Sequence, residues 1–180
     1  MRPWFVLSAL FLALPLSAQW PGQDLLGVQG RLSFPGGELA QAVGTLTPGL
    51  GLSVQTELHF EDKLCARLGM GLDSWFHPGK GNRSVAAYDV AGEVLYFLRN
   101  DDQDFLNGPY LVAGLSGITW ALSAGASNTG SPERSIHAGI TGGFGYRLTR
   151  HLDCELKIMA SQVNPGFTAN ATIVCLNYWF

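Results

Sequence analysis

Apolar residues recur at every second position along most of this chain, in segments separated by stretches rich in turn-forming residues. In residues 26–34, Leu26, Val28, Gly30, Leu32 and Phe34 share one phase, and Gly27, Gln29, Arg31 and Ser33 the other. The next segment sets Leu50, Leu52, Val54, Leu58 and Phe60 against Ser53, Gln55, Glu57 and His59. A third opposes Leu64, Ala66, Leu68, Met70 and Leu72 to Cys65, Arg67, Gly69, Gly71 and Asp73, and a fourth opposes Tyr88, Val90, Val94, Tyr96 and Leu98 to Asp89, Ala91, Glu93, Leu95 and Phe97. Residues 110–120 are the least clear, because both phases are partly apolar. The pattern sharpens again with Ala138, Ile140, Phe144, Tyr146 and Leu148 against His137, Thr141, Gly143, Gly145 and Arg147. Leu152, Cys154, Leu156 and Ile158 then oppose Asp153, Glu155 and Lys157. Last, Thr172, Val174, Leu176, Tyr178 and Phe180 oppose Ala171, Ile173, Cys175, Asn177 and Trp179.

Alternation sustained over such lengths argues for strands rather than helices. Eight segments of about ten residues each suit a tilted strand crossing a bilayer. The connections around Asp62 and Arg150 are tight, whereas 35–48, 77–84, 121–135 and 161–167 are longer and rich in Gly, Pro, Ser and Asn. An up-and-down chain collects those four at one end, the asymmetry of a barrel with short periplasmic turns and longer outer loops. The acidic connection 99–107 departs mildly from that rule.

A soluble eight-stranded barrel of the lipocalin kind is also up-and-down, but it would need a Lys- and Glu-rich outer face. Here the non-apolar phase is Gly, Ser and a few charges, which suits a narrow interior better than a solvent coat. Aromatic residues gather near strand ends: Phe60, Tyr96, Tyr110, Tyr146, Tyr178 and Phe180 at one end, Phe34, Trp75, Phe76 and Trp120 at the other. Two such belts match the two interfaces of a bilayer.

Composition agrees. Charged residues are 14% of the chain, against about a quarter in ordinary soluble domains. Residues 1–18 have the layout of a cleaved signal peptide: Arg2, an apolar run from Phe5 to Leu16, then Ser17 and Ala18. That leaves 19–180 as a single barrel domain, and no other window is apolar for long enough to form a spanning helix. The mild acidic balance, −3 for the whole chain, gives no footprint for nucleic acid. Strand phase points Cys65 and Cys175 one way and Cys154 the other, so these read as small strand residues, with a disulfide left open.

The chain resembles the OmpA/OmpX-type outer-membrane β-barrel superfamily, often labelled the porin family. The likeness rests on Gly108-Pro109-Tyr110-Leu111-Val112-Ala113-Gly114-Leu115, on the run from His137 to Thr149, and on the terminal Tyr178-Trp179-Phe180. It implies an all-β fold, an eight-stranded antiparallel up-and-down transmembrane β-barrel in the outer membrane of a Gram-negative envelope. It further implies outer-membrane lipids as surroundings and insertion by the barrel-assembly machinery, with Tyr178 and Phe180 as the assembly signal. No peptidoglycan-binding domain is expected beyond the barrel.

Candidate chemistry lies in the inward phase: Arg31, Glu57, Arg67, Asp73, Asp89, Glu93, Arg147, Asp153, Glu155 and Lys157, with His59 and His137 beside them. Folding the hairpin about Asp62 sets Glu57 opposite Arg67, and folding about Arg150 sets Arg147 opposite Asp153. Asp73 and Asp89 would face each other if the second outer loop closes symmetrically. The set implies a packed, self-neutralised lumen and a structural or surface-interaction role, with the outer loops available to an extracellular ligand. The alternative is a narrow channel for small solutes or protons. A lipid A-modifying enzyme is more remote: barrels of that deacylase type pair a His with a Ser on the lipid side of a late strand, whereas Ser161 has no His in its strand. His59, His77, His137 and His151 fall at different ends and phases, so no metal site of three convergent ligands, cofactor or catalytic group is expected.

Overall fold

The computed structural model describes residues 26–43, 47–61, 63–77, 83–99, 106–122, 136–164 and 167–180. The expected leader, the tips of the long loops and most of the 99–107 connection lie outside the described residues. The elements are β1 (Gly27–Gly36), α1 (Gly37–Val43), β2 (Gly49–Glu61), β3 (Leu64–His77), β4 (Arg83–Phe97), β5 (Gly108–Leu122), β6 (Ile136–Thr149), β7 (Leu152–Asn164) and β8 (Phe167–Trp179).

Each strand pairs antiparallel with its neighbour in sequence, and β1 closes on β8 from Gly27↔Trp179 to Gly36↔Asn170. No edge is left to recruit another chain. The seam is finished by the Phe180 amide, which donates to the Leu26 carbonyl at 3.0 Å, while the Phe180 ring meets Tyr178 edge-on. Deleting Phe180 removes that bond and an interfacial ring. The truncated protein is expected to insert poorly and to lose the heat-modifiable shift of a folded barrel on gels; an unaltered shift would refute this.

The apolar rows face outward. Leu52 and Leu115 are 72% and 70% exposed, and Val54, Met70, Val94, Ile140, Phe144, Ile158 and Leu176 are exposed with them. A continuous apolar exterior on a fully hydrogen-bonded cylinder is the arrangement that spans lipid, and it excludes the lipocalin alternative.

Three aromatic residues expected in the interfacial belts are instead inside: Trp75 and Tyr110 are fully buried and Trp120 nearly so. Parity is the reason. Trp75 shares the phase of Asp73, and Tyr110 and Trp120 share that of Val112. Inward glycines make room for these rings. A Cβ on Gly49 would meet the Trp75 indole at 2.5–2.8 Å, and one on Gly145 would strike the Tyr110 ring. Gly27 stands in the same relation to Trp179, 2.6 Å from a ring carbon. The interior is too narrow for facing pairs of large residues, so rings and glycines alternate.

The long-loop end is more ordered than its composition suggests. β7 and β8 continue to Asn164 and Phe167, which pair directly, and β3 and β4 continue to His77↔Arg83. Residues 161–164 and 167 are therefore strand rather than loop. In 35–48 the chain forms α1, entered through Gly37 at φ +56°, a left-handed turn that favours glycine. Leu39 and Val43, one turn apart on one helix face, are both fully buried in the barrel mouth.

Candidate functional site

The lumen is filled by two apolar clusters and one charged network. At the long-loop end, Leu39 and Val43 of α1 join Trp75, Val85, Ala87, Ile118, Trp120, Met159, Ala169, Ala171 and Ile173 in one apolar cluster, with Trp75 and Trp120 stacked at 6.0 Å. Glu38 fastens the helix to β8, its carboxylate accepting from both the backbone amide and the hydroxyl of Thr168. At the short-turn end, Cys65, Leu95, Phe97, Leu106, Tyr110 and Val112 form a second apolar cluster. A charged network fills the space between and beside them, with the Arg147 guanidinium 5.1 Å from the Phe97 ring centroid.

All ten predicted lumen residues meet there. Arg31 on β1 binds Asp73 at 2.9 Å and Asp89 at 2.8 Å. Arg67 on β3 is the hub: it contacts Glu155 most closely and lies 3.4 Å from Glu93, 3.5 Å from Glu57 and 3.9 Å from Asp153. Arg147 on β6 grips both oxygens of Glu57, at 2.9 and 2.7 Å, and reaches Asp153 at 3.2 Å. Lys157 on β7 bridges Glu93 at 2.7 Å and Glu155 at 3.2 Å. Every one of the six carboxylates thus touches a cation.

The registers bear out both hairpin pairings, Glu57↔Arg67 and Arg147↔Asp153. They do not place Asp73 opposite Asp89: Asp73 faces Ala87, and Asp89 faces Gly71. The two acids sit one repeat apart on the lumen face and are held together through Arg31, not by direct confrontation.

Neutral residues complete the network. Gln29 donates to Asn177 at 2.7 Å, Gln55 donates to the same oxygen at 3.1 Å, and Asn177 in turn donates to Asp153. The Trp179 indole N–H also donates to Asp153, at 2.8 Å, and the Tyr110 hydroxyl donates to Glu155 at 2.7 Å. Arg67 and Arg147 lie over the Trp179 ring at 5.2 and 5.5 Å, so the indole face meets cations while its N–H meets an anion. Period-two phase put Gln29, Gln55 and Asn177 on this face, but it carries no information on contacts across the hollow. One further group escaped the sequence reading: Glu57, His59 and Cys65 bring a carboxylate, an imidazole and a thiol within 4.8 Å of one another.

Ser161 is buried in the lumen and its hydroxyl donates to the Ala138 carbonyl at 3.0 Å. It therefore faces away from the lipid that a lipid A-modifying serine would have to meet. Cys154 is exposed on the outer surface, Cys65 and Cys175 are buried, and all three are free thiols.

No protein-family model matches the chain, and no curated protein matches it by sequence. Solved structures do. Neisserial surface protein A is 14% identical with a TM-score of 0.53, over 86% of this chain and 96% of that one. The Yersinia pestis outer membrane protein Ail, in a phospholipid bilayer nanodisc, is 10% identical with a TM-score of 0.55, over 88% of this chain and 100% of that one. Ail in complex with the heparin analogue sucrose octasulfate gives a TM-score of 0.51 at 9% identity, over 86% and 95% of the two chains. At these identities the likeness is one of fold, and with the apolar exterior it makes this chain an eight-stranded barrel of the bacterial outer-membrane type.

Proposed function

We propose that the protein is a non-conducting, non-catalytic scaffold of the outer membrane that anchors its outer loops at the cell surface. The carrying observation is the filling of the lumen: α1 and the Trp75–Trp120 pair pack one end, Phe97 and Tyr110 pack part of the other, and a bonded ionic network occupies the remainder. A conducting pore needs a continuous wet path, and this column is filled by two packed apolar clusters and side chains bonded to one another. The exposed partners are then lipid around the band, the barrel-assembly machinery acting on the strand ending in Tyr178 and Phe180, and a ligand of the outer loops. Planar-bilayer recording tests the reading. Purified, refolded protein is expected to give no discrete openings, and reproducible single-channel steps would replace the scaffold with the narrow channel.

A further inference from the structure

We propose that the short-turn end of the lumen holds a binding site for a borderline-soft divalent cation of the Zn2+ class, formed by Cys65, His59 and Glu57. His59 and Cys65 are directly opposed across the β2–β3 hairpin, on the lumen face, and Glu57 is the next inward residue of β2. The register slips between His59 and Glu61, a bulge beside the site of the kind that re-aims side chains. The three candidate donor atoms lie within 4.8 Å of one another, with the imidazole Nε2 3.1 Å from a Glu57 oxygen. Bond lengths of about 2.0–2.3 Å from zinc to N, O and S put tetrahedral ligands some 3.3–3.8 Å apart, so modest side-chain adjustment suffices.

Two further observations point to a cation. Nδ1 of His59 is buried with no hydrogen-bond partner. Since Nδ1 has no described partner and only Nε2 contacts Glu57, the ring can turn either nitrogen toward Glu57 and Cys65 without breaking a second hydrogen bond. The charges agree: among the described lumen residues, Glu57, Asp73, Asp89, Glu93, Asp153 and Glu155 outnumber Arg31, Arg67, Arg147 and Lys157 by two. A divalent ion adds two positive charges and the Cys65 thiolate formed on binding adds one negative, so occupancy cuts that surplus from two to one. Binding exchanges the Cys65 thiol proton, released to solvent, for a sulfur–metal bond. Glu57 Oε1 would exchange its direct contact with His59 for the ion and keep Arg147 on its second lone pair. His59 is 15% exposed, which leaves the ion a way in and a fourth position for water. The site is independent of whether the barrel conducts.

Co2+ is the probe, titrated into the full mature chain refolded in detergent micelles, with folding followed by heat-modifiable migration. One equivalent is expected to produce a thiolate-to-cobalt charge-transfer band, bleached by Zn2+. Cys65→Ser should abolish the band, His59→Gln should weaken binding about tenfold or more, and Cys154→Ser should leave it intact. No band in the wild-type protein, or a band that survives in Cys65→Ser, overturns the site. If Cys65→Ser does not fold, His59→Gln decides, and unchanged affinity there is equally fatal.

Discussion

Replacing Arg67 with Ala is expected to lower barrel stability by about 3–5 kcal/mol, the range for leaving buried charges without their partner, and by more than replacing Glu57. The asymmetry comes from connectivity. Arg67 touches four carboxylates, Glu57, Glu93, Asp153 and Glu155, all on inward positions. Without it, Lys157 is the one cation left to both Glu93 and Glu155 among the described contacts, and Asp153 relies on Arg147 and neutral donors. A lumen already two negative charges in excess becomes more so. Glu57→Ala acts in the opposite sense: Arg147 keeps Asp153, Arg67 keeps Glu93 and Glu155, and the surplus shrinks. Urea unfolding in lipid vesicles measures both, and the argument fails if Glu57→Ala proves the more damaging. Arg67 also loses its place over the Trp179 ring, so Arg67→Lys, which keeps charge but not the planar fork, is expected to recover only part of the stability.

The strand count, the faces and the two short-turn pairings were legible because a strand has one degree of pattern freedom, its parity. Parity fixed Arg67 and Glu155 inside, and hairpin closure then fixed Glu57 against Arg67. It could not pair Arg147 with Glu57, which lie 90 positions apart in sequence and meet only because the cylinder is narrow enough for a guanidinium to reach across. The misplaced rings have a related cause. Height along a strand alone puts aromatic residues in the belts, yet Trp75 and Tyr110 carry inward parity, and the glycines opposite them are the cue to it. Gly49 and Gly145 are small because a ring occupies their side-chain space.

The helix α1 was hidden for a different reason. Seven residues are too few for periodicity to speak, and the segment opens on Gly37 between the turn formers Gly36 on one side and Gly44, Pro48 and Gly49 on the other. Leu39 and Val43 are helical by contact with the barrel mouth rather than by propensity, as is usual for so short a helix. That dependence links fold and function: the element that caps the lumen is stable only where the lumen gives it an apolar seat.

Gly143→Ala and Gly142→Ala, adjacent substitutions of one methyl each, are expected to differ sharply. Gly143 points into the lumen. A Cβ there would collide with the Leu156 carbonyl oxygen and lie 2.8 Å from the Lys157 Cα, both of them backbone of the neighbouring strand. Backbone cannot rotate away as a side chain can, so β6 and β7 must separate, at a cost of about 1–3 kcal/mol or more for overpacking. The separation would also carry Lys157 away from Glu93 and Glu155, adding electrostatic loss to steric loss. Gly142 faces outward, and its Cβ would have nothing nearer than the Val112 carbonyl oxygen at 4.0 Å. Gly142→Ala should therefore be neutral, or stabilising by about 0.4–1 kcal/mol through a less flexible unfolded chain. The pair isolates barrel curvature from strand propensity, since both positions lie mid-strand in β6 and the new side chain is identical. Equal urea midpoints for the two variants would mean that the inward glycines are not steric necessities, and the packing account of the lumen would fail with them.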